Sequence, residues 1–197
     1  MFTGIIQEIG TVARVERAKD LLRLTIAAPT LAARVQPLES VAVDGVCLTA
    51  VAARQGALTF EIIPETQRLT TLGALRSGAR VHLEPSLTLA DRLGGHLLFG
   101  HIDGLGTLVG RRHRGGELAL TIRCPQSLRT FLVAKGPVAV DGISLTVGAN
   151  LTAATFTLHL IPETLRRTTL GERRLGERVN LEVDYLAKLV RQFVRRR

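Results

Sequence analysis

Two stretches hold the side chains best suited to chemistry. Val41–Ala50 reads VAVDGVCLTA and Val138–Val147 reads VAVDGISLTV. Each follows an Asp-Gly pair with a nucleophilic atom and a threonine: Cys47 and Thr49 in the first, Ser144 and Thr146 in the second. A thiol or hydroxyl is a potential nucleophile, and a thiol is the stronger one only as thiolate. The plainer alternative makes Cys47 a buried hydrophobe and Ser144 a partner for a backbone group. Asp44 and Asp141 read first as turn formers and second as acids. An apolar run, Asp-Gly and a second apolar run spell a hairpin with a two-residue turn. The two copies lie 97 positions apart and agree at Val, Ala, Val, Asp, Gly, Leu and Thr. Matched polar groups on matched hairpins suggest two half-sites facing one problem.

The duplication extends well beyond the hairpin. Gly4 and Gly10-Thr11 match Gly100 and Gly106-Thr107 at spacing 96. Ile62–Thr66 (IIPET) matches Leu160–Thr164 (LIPET), and Thr70–Gly73 (TTLG) matches Thr168–Gly171, both at spacing 98. Val81–Glu84 (VHLE) matches Val179–Glu182 (VNLE). The order is kept and the spacing drifts by little, which identifies a duplicated domain of about a hundred residues and not a solenoid.

Each half must position its polar pair on short strands. Period-2 alternation marks Leu22–Ala28 and Leu118–Ile122 as strands. Gly4–Val15, Ala57–Ile63 and Thr155–Ile161 read as strands too, the last two stopped by Pro-Glu-Thr. Thr30–Val35 and Ser127–Ala134 read as short helices with a Ser or Thr cap, and Thr66–Leu72 and Thr164–Leu170 as helical turns. Arg80–Glu84 and Arg178–Val183 close each half. Six short strands per half favour a closed barrel, which removes exposed edges. The fold expected is mainly β: two tandem, similar, six-stranded antiparallel Greek-key barrels plus a C-terminal α-helix. The domains expected are 1–95, 96–184 and a helix over 185–197. In that helix Leu186, Leu189, Val190, Phe193 and Val194 form one apolar stripe, too short to stand alone. It must pack on its own barrel or on another subunit.

The 197 residues carry 26 basic and 17 acidic side chains, a net charge of +9, with 46% hydrophobic and only 4% aromatic residues. Basic clusters at Arg111, Arg112 and Arg114 and at Arg195–Arg197 could attract nucleic acid. The scarcity of aromatics argues against base stacking. No apolar run is long enough for a membrane span, and the N-terminus lacks the pattern of a secretory leader. Two cysteines, Cys47 and Cys124, cannot build a disulfide framework, so a reduced cytoplasmic setting is expected. His96 and His101, with Asp103 nearby, lie in GGHLLFGHIDG. That context reads as a bend and not as a metal site, which needs three convergent ligands.

Taken together, MFTGIIQEIG, the pair DGVCLT and DGISLT, the central GGHLLFGHIDG and the paired PET and TTLG segments resemble riboflavin synthase, the family built from two lumazine-binding barrels. The resemblance runs in register from Met1 to about Asp184. It implies a transferase that dismutes two molecules of 6,7-dimethyl-8-ribityllumazine by four-carbon transfer, giving riboflavin and 5-amino-6-ribitylaminouracil. It implies no cofactor and no metal. It implies a homotrimer held by C-terminal helices, with the site between the N-terminal barrel of one subunit and the C-terminal barrel of its neighbour. Lumazine synthase is a further partner that the resemblance admits; nucleic acid and membrane are not.

The resemblance also assigns residues. Gly4, Ile5 and Ile6 match an N-terminal pocket, followed by Cys47, Leu48 and Thr49, then Glu61, Ile62, Ile63, Pro64, Glu65 and Thr66. The second barrel offers Ser144, Leu145 and Thr146, then His159, Leu160, Ile161, Pro162, Glu163 and Thr164. Lys135 matches a position near the ribityl chain, and His101, Ile102 and Asp103 lie at the junction of the halves. Cys47, Ser144, His101, Asp184 and Ser40 are the catalytic candidates, with His101 as proton shuttle. Two departures stand out. His82 stands where the family often has Asn, though Asn180 is kept, and His159 faces Glu61 across the repeat.

Three other readings compete. Relatives that hold lumazine or flavin as a fluorescent antenna have degenerate second barrels, whereas this chain keeps DGISLT, PET and TTLG. A nucleic-acid-binding barrel rests on charge alone. A flavin reductase would need a nicotinamide-binding partner domain.

Overall fold

The computed structural model describes residues 1–194. Arg195, Arg196 and Arg197 lie outside the described residues, as does the side chain of Arg114. The first barrel closes from β1 (Glu8–Arg17), β2 (Leu22–Ala27), β3 (Ser40–Val43), β4 (Val46–Arg54), β5 (Ala57–Ile62) and β6 (Arg80–Pro85). The second closes from β7 (Gly104–Arg114), β8 (Glu117–Arg123), β9 (Pro137–Val140), β10 (Ile143–Leu151), β11 (Thr155–Leu160) and β12 (Arg178–Val183). Around the first barrel the order is β1-β2-β5-β4-β3-β6, and the second repeats it strand for strand. All pairings are antiparallel, and β6 returns beside β3, the Greek-key arrangement.

Alternation fills each barrel. Leu22, Leu24 and Ile26 on β2 and Leu58, Phe60 and Ile62 on β5 are fully buried in the first core. Leu118, Leu120 and Ile122 with Phe156, Leu158 and Leu160 do the same in the second. Asp44 and Gly45 have φ of 44° and 81°, and Asp141 and Gly142 46° and 79°. Both central residues are therefore left-handed, as a two-residue type I′ hairpin requires.

The helices are shorter than the sequence suggests. Pro29–Ala32 (α1) and Gln126–Arg129 (α3) each span four residues and lack a side-chain cap. The expected Ser/Thr cap is replaced at α1 by Glu8 of β1, whose carboxylate accepts from Thr30 and Leu31 N–H at 3.1 and 2.7 Å. Pro64–Leu69 (α2) and Pro162–Arg167 (α4) each open on proline, where a missing N–H is harmless. The first strand starts at Glu8 and not at Gly4, because residues 4–6 leave their own barrel before Gln7 N–H joins Leu83 O at 3.0 Å.

That departure is reciprocal. Ile6 is buried in the core of the second barrel, and Ile102 packs on the core of the first. Phe2 bridges Leu98 antiparallel, and these two bury against Ala42 and Ala139 between the barrels. A pseudo-twofold axis passes there. A Cβ on Gly45 would lie 2.6 Å from Gly142 N, and one on Gly142 equally close to Gly45 N.

Candidate active site

Both half-sites are built from a hairpin strand and a glycine lent by the other half of the chain. Cys47 on β4 donates its N–H to Gly100 O at 2.9 Å. Gly100 has φ of 73°, and a Cβ there would lie 2.6 Å from Cys47 Cβ. Ser144 on β10 donates its N–H to Gly4 O at 2.9 Å; Gly4 has φ of 77°, and its Cβ would lie 2.6 Å from Ser144 Cβ. Only glycine permits both the left-handed backbone and the approach.

Buried carboxylates hold the lent segments. Glu84 accepts from Thr3 N–H and Thr3 O–H, both at 2.7 Å, and from Gly4 N–H at 2.9 Å. Glu182 accepts from Phe99 N–H at 2.8 Å and Gly100 N–H at 3.0 Å. Burial raises both carboxyls, Glu182 to about 7, against the pull of those N–H donors.

The half-sites differ in one respect that bears on chemistry. His96 Nδ1 lies 2.7 Å from Ser144 Oγ. His96 Nε2 is buried and has no partner among the described residues. Burial lowers the pKa of this imidazole, with the Asp184 charge opposing. A neutral His96 that takes the Ser144 proton on Nδ1 carries its own on Nε2. Among the described residues, no imidazole hydrogen-bonds the Cys47 side chain as His96 does Ser144. The chain is drawn tight around this pair: a Cβ on Gly95 would lie 2.1 Å from Thr3 O and 2.8 Å from Ser144 Oγ.

The expected site residues fall as follows. Leu48 is buried in the first core and Leu145 packs on the second, while Thr49 and Thr146 are exposed beside Cys47 and Ser144. Ser40 lies across the ladder from Thr49. Ile62 and Leu160 are buried, Ile63 and Ile161 exposed at the entries to α2 and α4, and Pro64 and Pro162 open those helices. Thr66 and Thr164 offer carbonyls to Thr70 and Thr168 hydroxyls, each at 2.7 Å. Glu65 is exposed; Glu163 pairs with Arg166 and Arg167, which lower its pKa. Glu61 pairs with Arg23 at 2.5 Å, and His159 lies 3.3 Å from Glu117. Lys135 is exposed with φ of 68° and donates its N–H to Val147 O at 2.8 Å on the rim of the second barrel.

Several placements differ from expectation. Of the three assigned to the N-terminal pocket, Gly4 closes on Ser144 and Ile6 is buried in the second core, whereas Ile5 is exposed and lines a cavity with Thr3, Gln7, Arg34 and Pro85 of the first half. His101 is exposed and stacks on Phe99 at 6.1 Å, and the imidazole within hydrogen-bond reach of Ser144 is His96. Asp103 accepts from Val183 N–H at 2.9 Å and pairs with Lys188 at 2.7 Å, which ties down the helix Tyr185–Val194 (α5). Asp184 accepts from Leu186 N–H at 3.1 Å at the start of α5. His96, Glu84 and Glu182 were missed as functional residues. The only traces in sequence are the Gly-Gly-His run and the repeated Glu ending VHLE and VNLE.

Asp44 and Asp141 are turn formers and more. Each accepts from the backbone N–H of its own barrel's last strand, at His82 and Asn180, both at 2.8 Å. Across the axis, Asn180 donates to Asp44 O at 2.9 Å and accepts from Thr71 N–H at 2.8 Å. His82 does the same with Asp141 O at 3.0 Å and Thr169 N–H at 2.9 Å. An imidazole thus replaces an amide, provided that it is neutral with its proton on Nδ1; burial lowers its pKa and keeps it so. Burial and the nearby Asp141 push Asp44 up to about 8.

A model of the lumazine binding domain matches the chain twice, at residues 3–86 and 99–184. The riboflavin synthase of Mycobacterium tuberculosis is 44% identical over 199 residues, covering 99% of this chain and 98% of that protein. The chain belongs to the riboflavin synthase family. Within that family, the riboflavin synthases of Brucella abortus and Bacillus subtilis are 42% and 36% identical, covering 95% and 98% of this chain and 95% and 90% of their own. The fold is also that of LumP, solved with riboflavin, at a TM-score of 0.87 and 24% identity over 93% of this chain and 100% of that one. As a riboflavin synthase, the chain is an enzyme with two lumazine-binding barrels.

Proposed function

We propose that this enzyme converts two molecules of 6,7-dimethyl-8-(1-D-ribityl)lumazine into riboflavin and 5-amino-6-(D-ribitylamino)uracil, one donating four carbons and the other accepting them. The observation that carries the reading is the pair of crossed half-sites, Cys47 with Gly100 and Ser144 with Gly4. Two identical substrates need two similar cradles, and holding both rings in register supplies much of the acceleration. The chemistry also needs the cradles to differ. A proton must leave the C7 methyl of one ring, and a nucleophile must add at C7 of the other.

The second barrel is suited to the first task. His96, neutral because it is buried, takes a proton relayed through Ser144 Oγ, and Asp184 favours the resulting imidazolium. Cys47, half-buried and with no imidazole hydrogen-bonded to it among the described residues, suits the addition step as nucleophile or as positioner of a hydroxide. The carbonyls of Gly4 and Gly100 accept from Ser144 and Cys47 N–H, which sets the cradle shape. Lys135, on the rim beside β10, offers a cation near the ribityl chain.

The working unit is a homotrimer in which the first barrel of one subunit faces the second barrel of the next. In support, α5 leaves Leu186, Val190, Phe193 and Val194 63–69% exposed on one face, a stripe that another subunit would cover. The setting is cytoplasmic, and association with lumazine synthase would shorten the path of the substrate. The test is incubation with the lumazine as sole reactant. Riboflavin should appear with two lumazines consumed per flavin; no riboflavin would overturn the proposal.

A further inference from the structure

We propose that Glu84 and Glu182 are crossed positioning residues: each holds, from the last strand of its own barrel, the segment that completes the half-site of the other barrel. This rests on the reading of Cys47 and Ser144 as the two half-sites. Glu182 on β12 belongs to the second barrel, yet Phe99 and Gly100, which it binds, close on Cys47 of the first. Glu84 on β6 belongs to the first barrel, yet Thr3 and Gly4 close on Ser144 of the second. A distortion of one barrel is therefore felt at the substrate cradle of the other.

The chemistry requires a carboxylate. Two successive backbone N–H groups point the same way because the glycine is left-handed, and they form a small anion-binding concavity. A carboxylate meets both with its two oxygens, in charge-assisted bonds. An amide of the same shape offers one oxygen and turns its NH2 toward the second N–H, leaving a buried clash. Both glutamates are buried, so a lost partner leaves a costly unpaired polar group.

The surroundings of the two differ. Around Glu182 the charged groups are Lys188 on α5, which favours the anion, and Asp103 ahead of β7, which opposes it. Around Glu84 the balance is set by the Thr3 hydroxyl and the backbone N–H groups of Thr3, Gly4 and Ile5. Glu182 thus couples the first-barrel cradle to α5 through Lys188. Tyr185 of the same helix packs on Phe99 at 4.7 Å, from the other side of the lent segment. Whatever settles α5 settles Gly100 and, through it, Cys47.

The test reads the two cradles separately, by amide hydrogen exchange at Cys47 and Ser144 in the full chain. In Glu182→Gln, protection of the Cys47 amide should fall about tenfold or more while Ser144 is unchanged, and Glu84→Gln should give the mirror result. Riboflavin used as probe should then lose one of two sites per chain in each variant, a different one each time. Glu182→Asp and Glu84→Asp keep both acceptors but withdraw them by a methylene. They should show the same one-sided pattern in weaker form, and they serve if the glutamines impair folding. Equal loosening of both amides in each variant, or no change in either, would overturn the proposal. Because exchange is read without turnover, it stands apart from any failure to make riboflavin.

Discussion

Cys47 and Ser144 occupy equivalent positions, and among the described residues a histidine hydrogen-bonds only Ser144, which separates the roles proposed for them. Ser144→Ala and His96→Ala should each lower kcat about a hundredfold, the usual weight of a positioned proton-transfer group. Cys47→Ala should keep measurable turnover, and His101→Ala, at an exposed stacked ring, should change kcat less than His96→Ala. Steady-state kinetics on the four variants ranks them. His82 invites a second measurement. Its pKa is lowered in the folded chain, so the unfolded chain binds more protons below about pH 6.5, and stability drains away as the pH falls through that value. His82→Asn supplies the same donor and acceptor without a titrating group. Its melting temperature should therefore lose less than that of the parent between pH 7 and 5. Asp44 and Glu182 act in the opposite sense: their raised values favour the folded chain at low pH, and that contribution is lost as the pH rises through about 8 and 7. Both chains keep those groups, and because His82 Nδ1 lies 3.4 Å from Asp44 Oδ1, the difference between the two melting curves reports His82 together with its coupling to Asp44. Of these residues, Cys47 and Ser144 were legible because the repeat aligned them. His96 was not, because the glycine-rich run that carries it reads as a bend.

The decisive elements are the two segments without regular structure, Thr3–Gln7 and Phe99–Asp103. Gly4→Ala and Gly100→Ala each combine a left-handed backbone, about 1–2 kcal/mol for any residue with a Cβ, with a backbone contact that cannot give way. Gly78→Ala shares the positive φ but meets nothing within 4 Å. Gly4→Ala and Gly100→Ala should thus lose ligand binding in one half-site each, while Gly78→Ala should lose only stability; riboflavin titration with thermal melting distinguishes them. The strands and hairpins were legible from alternation and from Asp-Gly. The crossing was not. The spacing of the repeats is the same whether each glycine closes its own barrel or the other one, and only Glu84 and Glu182 decide between them. The cap of α1 was hidden for a similar reason, since Glu8 lies twenty-odd residues away and reaches it only once the barrel has closed.

At the scale of the whole molecule, duplication produced two barrels of identical topology that then traded segments, so neither half is complete without the other. In the proposed trimer, the apolar face of α5 extends the same dependence to other subunits. Val190→Glu together with Phe193→Glu should convert the trimer to monomer by light scattering and abolish turnover, while each chain still binds riboflavin. The stripe was visible in the sequence as a period, and its exposure follows because Tyr185 and Lys188 take the side of the helix that faces the barrel. The central claim is that one reaction needs a Cys47 cradle and a Ser144 cradle from different subunits. Mixing Gly4→Ala chains, whose second-barrel cradle is closed, with Gly100→Ala chains, whose first-barrel cradle is closed, tests it most directly. After subunit exchange, junctions that pair an intact first barrel with an intact second barrel should restore about a quarter of the parental activity. If the mixture stays as inactive as either variant alone, although hybrid trimers form, the account is contradicted.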